Sequence, residues 1–140
     1  MVELRRVDIT TEVSMLSSCL ALPREGHLKQ LFRMFSYLEK QYNSEMAFDH
    51  TEPAIDYAEF PKQDWKNTVN LPTPSGKGFT MRVFVDSDHA GDQVTRRSRT
   101  GFLVYLNNAL IHWTSKKQTT VETSLFGSEF MAVKHATEYV

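Results

Sequence analysis

The chain has 140 residues and a formal net charge of -1, which leaves room for one ordinary domain, or for a small domain with an appended piece of another. Near-neutrality excludes a global electrostatic pull on nucleic acid, so any basic contact has to be local. No apolar run approaches the ~20 residues of a membrane span, and the N-terminus lacks the basic, apolar and small-residue succession of a secretory signal, so the expected location is intracellular, cytoplasm or nucleus.

In chain order, Ile9, Val13, Leu16 and Leu20 recur at helical spacing, with Asp8 or Thr10 available as N-cap and Pro23 as the stop. The single Cys19 has no disulfide partner and is expected to be a buried free thiol beside Leu16 and Leu20. Between Pro23 and Asn43 a second helix is predicted, with Leu28, Leu31, Phe32, Phe35, Leu38 and Tyr42 along one side. The two form a helical hairpin that needs a partner surface. Residues 49–78 read as a linker, because Pro53, Pro61, Pro72 and Pro74 interrupt acidic and polar residues; Ile55, Phe60 and Trp65 are the apolar residues able to dock on a neighbour.

From Phe79 the pattern becomes β. Phe79 to Val85 is apolar on both faces and is expected inside a sheet. Gly101 to Leu106 and Ala109 to Thr114 are two further strands, joined by Asn107-Asn108, residues that tolerate positive φ in a tight turn. A final helix is predicted over 124–140, with Phe126, Glu129, Phe130, Val133 and Ala136 recurring on one side. The fold class is α+β: a helical hairpin (1–48), a Pro-rich linker (49–78), and a three-stranded antiparallel meander with a helix (79–140).

Two carboxylates stand where a soluble domain would not ordinarily put them, Asp86 closing the first strand and Glu129 in the apolar stripe of the last helix. By alternation Asp86 shares a strand face with Arg82 and Phe84. If the helix packs on that face, Asp86 and Glu129 approach each other and have the oxygen donors a divalent cation needs. In the competing reading Asp86 and Asp88 are turn acids and Glu129 pairs with a basic neighbour; spacing leaves both open.

Four blocks narrow the choice: Val85-Asp86-Ser87-Asp88-His89-Ala90-Gly91-Asp92, Arg96-Arg97-Ser98-Arg99-Thr100-Gly101-Phe102, Ser115-Lys116-Lys117-Gln118 and Ser128-Glu129-Phe130-Met131-Ala132. In this order and spacing they resemble the ribonuclease H region of copia-type LTR-retrotransposon Pol polyproteins. Upstream, Arg6-Val7-Asp8-Ile9 and Leu22-Pro23-Arg24-Glu25-Gly26-His27-Leu28, with Tyr37-Leu38, resemble the end of the reverse transcriptase of the same polyproteins. The resemblance implies a truncated ribonuclease H-like fold and metal-dependent cleavage of RNA in RNA·DNA hybrids, with Asp86 and Glu129 as catalytic metal ligands for Mg²⁺, or Mn²⁺ in its place. Asp88 and Asp92 match recurrent acids of the same loop and are expected to shape the turn.

His89 stands where an aromatic residue is common, and Phe126-Gly127 replaces a common Thr-Glu. The family's third and fourth carboxylates lie further downstream than Val140, so weak metal binding and little or no activity are expected of this chain, with the remainder of the polyprotein as a partner. Loss of downstream strands is further expected to leave one side of Phe79–Val85 unpaired and prone to association. The alternative is a noncatalytic remnant that binds nucleic acid or a partner.

For either reading, Arg96, Arg97, Arg99, Lys116 and Lys117 are the candidate phosphate contacts. The five histidines show no zinc-ligand spacing. Phe102, Tyr105 and Trp113 fit sheet faces better than base-stacking platforms.

Overall fold

Alternating β-branched and aromatic residues after residue 80 build a three-stranded antiparallel sheet in the computed structural model, which describes residues 6–61 and 75–140. Pro72, Pro74 and Trp65 lie outside the described residues. A 3₁₀ turn (Val7–Ile9) leads into α1 (Thr10–Ser17) and α2 (Glu25–Lys40); β1 (Met81–Ser87), β2 (Arg99–Leu106), β3 (Ala109–Lys117) and α3 (Leu125–Tyr139) follow. The sheet order is β1-β2-β3. Among the described residues no helix is long and apolar enough to cross a membrane.

The Asn107-Asn108 turn forms as expected, with Asn107 at φ 53, and the register shifts by one residue between Val104 and Tyr105. Its amides do more than turn the chain. Asn107 Oδ1 accepts from the Thr80 amide (2.9 Å), Asn107 Nδ2 donates to the His50 carbonyl (3.1 Å), and Asn108 Nδ2 donates to Thr51 Oγ1 (2.9 Å). Residues 50–52 are thereby strapped to the hairpin, which their polar composition does not reveal.

β1 is a sheet edge among the described residues rather than an internal strand, and Phe79, Met81 and Phe84 stay exposed. Apolar residues on both faces therefore do not mark a central strand here.

The core lies between the sheet and α3, where Phe102, Val104 and Ala136 are buried with Val83 and Val85 against them. α3 meets the sheet through Ser128, Ala132 and Ala136, spaced at four residues. Phe126, Phe130 and Val133, expected on the packed side, point to solvent. Small residues let a helix backbone come close to a sheet, so the narrow small-residue stripe takes the seam and the bulky stripe is left outside. Ser124 caps this helix, accepting from the Gly127 amide at 3.0 Å.

On the other side of the sheet α1 packs against β3, and α2 packs on α1. Neither expected cap is used at α1, whose N-cap is Ile9 with no side-chain bond. Asp8 instead accepts from Arg6 Nη2 (2.7 Å) and from the Tyr37 hydroxyl (2.8 Å), fastening the 3₁₀ turn to α2. The guanidinium and the phenol hold Asp8 below the usual carboxylate range, and Asp8 raises Tyr37 in return. α2 half-buries His27, Leu31, Met34 and Leu38, while Leu28, Phe32, Phe35 and Tyr42 remain exposed. Cys19 is half-buried rather than enclosed.

Candidate functional site

Strand alternation decides where each carboxylate points. Val83 and Val85 face α3, so Arg82, Phe84 and Asp86 face the side covered by α1. There Phe84 meets Tyr105 edge-to-face at 5.7 Å, and Asp86 borders a cleft of about 170 Å³ with Thr11, Arg99, Gly101 and Ser115. Glu129, half-buried, follows the fully buried Ser128 on α3. The helix thus packs on the face opposite to the expected one, because the small residues of α3 fit the Val83-Val85 ridge and the bulky Phe84 occupies the other. Asp86 and Glu129 come to the same end of the sheet from different faces.

That common end is held by buried hydroxyl and amide groups. Ser87 pairs with Thr100 across β1 and β2, and Gln118 Nε2 donates both to Thr100 Oγ1 (3.0 Å) and to the Ser128 carbonyl (3.0 Å). Ser98 Oγ accepts from the Ala90 amide at 3.0 Å. Gln118, Ser98 and Thr100 are among the most deeply buried side chains described.

The other acids of the loop are structural, as expected. Asp88 Oδ1 accepts from the Arg99 amide, and a side chain on Gly91 would run into the same carboxylate. Asp92 accepts from the Val94 and Thr95 amides (3.0 and 2.9 Å) and pairs with Lys117. Lys117 and these amides hold the Asp92 carboxyl far below its ordinary range. Ala90 and Arg96 take left-handed backbone conformations, φ 52 and 58, so this loop depends on its hydrogen bonds to keep its shape.

The basic candidates divide into two sets. Arg99 Nη1 donates to Ser14 Oγ, whose own hydroxyl donates to the Ser115 carbonyl at 2.6 Å, so Arg99 helps dock α1 on the sheet. Lys117 is committed to Asp92. Arg96, Arg97 and Lys116 are exposed. Sequence reasoning missed Ser14 and Gln118; only the position of Gln118 at the end of a recognisable block marked it.

A divalent centre needs several oxygen ligands converging on one point. Among the described residues no group of three or more His, Cys, Asp or Glu side chains is placed to hold a metal ion. Asp88 lines the same cleft as Asp86 while its Oδ1 accepts from the Arg99 amide, and Asp92 is paired with Lys117.

No family model and no solved structure matches the chain. It is 30% identical over 95% of its length to the secreted RxLR effector protein 161 of Plasmopara viticola, of which it spans 76%. It is also 30% and 27% identical, over 91% of its length in both cases, to the retrovirus-related Pol polyproteins from transposons RE1 and RE2 of Arabidopsis thaliana. The chain spans 7% of the length of either polyprotein. Matched over 91% of its own length, the chain is related to a segment of the retrovirus-related transposon Pol polyproteins.

Proposed function

We propose that the chain corresponds to the junction of a copia-type Pol polyprotein where reverse transcriptase ends and ribonuclease H begins, and that its task is to engage the RNA·DNA hybrid that the ribonuclease H cleaves. The observation that carries this reading is the placement of the four sequence blocks: strand end, arginine loop, lysine-bearing strand and first helix turns all meet at one end of the sheet. Asp86 and Glu129 are the residues proposed to serve the cleavage in the complete polyprotein. Among the described residues no third acidic, His or Cys side chain joins them in a metal-holding group, so the remaining ligands of that reaction are proposed to come from elsewhere in the polyprotein.

For the 140-residue chain alone the proposal is therefore hybrid binding with little or no cleavage. Exposed Arg96, Arg97 and Lys116 supply charge-assisted contacts to backbone phosphates, a force that works on a protein of near-zero net charge because it is local. Fluorescence anisotropy with a labelled RNA·DNA hybrid tests the reading. Binding that falls linearly on a log–log plot against salt, and that is weakened by Arg96→Ala and Arg97→Ala, is expected; no binding at low salt would overturn it.

The effector-like relative raises a second reading, a noncatalytic module that docks on a protein partner. It is favoured by the exposed Phe126, Phe130 and Val133 of α3. Hybrid binding unaffected by the arginine substitutions would move the balance toward it.

A further inference from the structure

We propose that Gln118 is a positioning residue that fixes the carboxylate of Glu129 relative to the end of β1. The inference rests on the reading that Asp86 and Glu129 belong to one site. Its evidence is a chain of bonds rather than a resemblance. Glu129 follows Ser128, whose carbonyl accepts from Gln118 Nε2 at 3.0 Å. The second hydrogen of the same amide goes to Thr100 Oγ1 at 3.0 Å, and Thr100 lies directly across from Ser87, the neighbour of Asp86. The Gln118 backbone amide donates to the Ser98 carbonyl at 2.8 Å, which anchors the side chain's own origin to the start of β2. One primary amide therefore joins the strand pair that carries Asp86 to the helix turn that carries Glu129.

The bond falls on an unusual partner. Within α3 the Ser128 carbonyl belongs to the first turns, where the small residues Ser128, Ala132 and Ala136 face the sheet, while at the far end Tyr139 stacks on His112 at 4.2 Å and its hydroxyl lies 2.9 Å from His112 Nδ1. Small side chains let the helix slide and rotate more freely than interlocked large ones, so directional bonds have to set its register. Gln118 is 1% exposed and Ser128 is fully buried, so water does not compete for these bonds. An apolar residue of the same length at 118 would fill the space and leave the helix turn undirected.

Pulsed electron paramagnetic resonance tests this in the full chain, with Cys19→Ser and spin labels on Asp86→Cys and Glu129→Cys. A single narrow distance distribution is expected with Gln118 present. Gln118→Met should broaden and shift it while amide-exchange protection of β2 and β3 stays unchanged, a combination that a purely structural role does not produce. Thr100→Val, which removes one acceptor and keeps the shape, should broaden it less, and decides the matter if Gln118→Met also loses sheet protection. An unchanged distribution in Gln118→Met, or in a folded Thr100→Val when Gln118→Met does not fold, overturns the proposal. Neither result depends on hybrid binding, so the proposed function stands or falls separately.

Discussion

The two faces of the same three strands are closed in different ways. Under α3 the sheet offers Val83, Val85, Thr100, Phe102 and Val104 to a stripe of Ser128, Ala132 and Ala136; a cavity of about 440 Å³ opens beside the C-terminal end of the helix, between Phe102, His112, Thr114 and His135, Glu138 and Tyr139. Under α1 it offers Phe84, Leu103 and Trp113 together with Asp86, Gly101 and Ser115; the Ser14 hydroxyl bonds the Ser115 carbonyl, and clefts stay open beside Asp86. The first face brings small helix residues against a valine ridge; the second mixes apolar side chains with directional bonds to polar ones. A carboxylate is tolerable on the second face and would be costly on the first.

Substitutions should separate the faces. Phe102→Ala, at the centre of the closed face, should cost about 3–5 kcal/mol in chemical denaturation. Ala132→Leu should cost about 1–3 kcal/mol by lifting α3, whereas Val133→Ser on the exposed side of the same helix should change stability by under about 0.5 kcal/mol. Equal effects at 132 and 133 would mean that the helix does not sit as described.

Asp92→Asn should lower the melting temperature by a smaller amount through loss of the Lys117 pair. Because the folded-state carboxyl titrates below its unfolded value of about 3.9, the advantage of the wild type is fully present above that pH and disappears as pH falls further. Melting temperatures of both proteins between neutral and strongly acidic pH check the sign. The smallest effect on stability is expected for Arg96→Ala with Arg97→Ala, within about 0.5 kcal/mol. The same pair should reduce the log–log salt slope of hybrid binding by roughly 2, since each lost phosphate contact removes about 0.9.

The element order was legible in the sequence because periodicity and punctuation report local structure: the Asn107-Asn108 turn, the Ser124 start of α3 and the strand pattern all reflect neighbouring residues. What the sequence hid was the choice of face. Phe126, Phe130 and Val133 outweigh Ser128, Ala132 and Ala136 in hydrophobicity, yet the seam is chosen by how closely the backbones can approach, a tertiary quantity. The roles of Arg99 and Lys117 were hidden for the same reason, since Ser14 and Asp92 are distant in sequence from the groups they bind. The candidate carboxylates were recognisable by motif, while their separation onto two faces became visible only with the packing of α3.

On the proposed function the described residues engage the hybrid as a piece of a Pol polyprotein and do not form a self-sufficient nuclease. Its most direct test is incubation of the purified chain and its Asp86→Asn variant with a labelled RNA·DNA hybrid in Mg²⁺ or Mn²⁺. No cleavage beyond background is expected from either protein. Robust cleavage by the wild type that Asp86→Asn abolishes would contradict it.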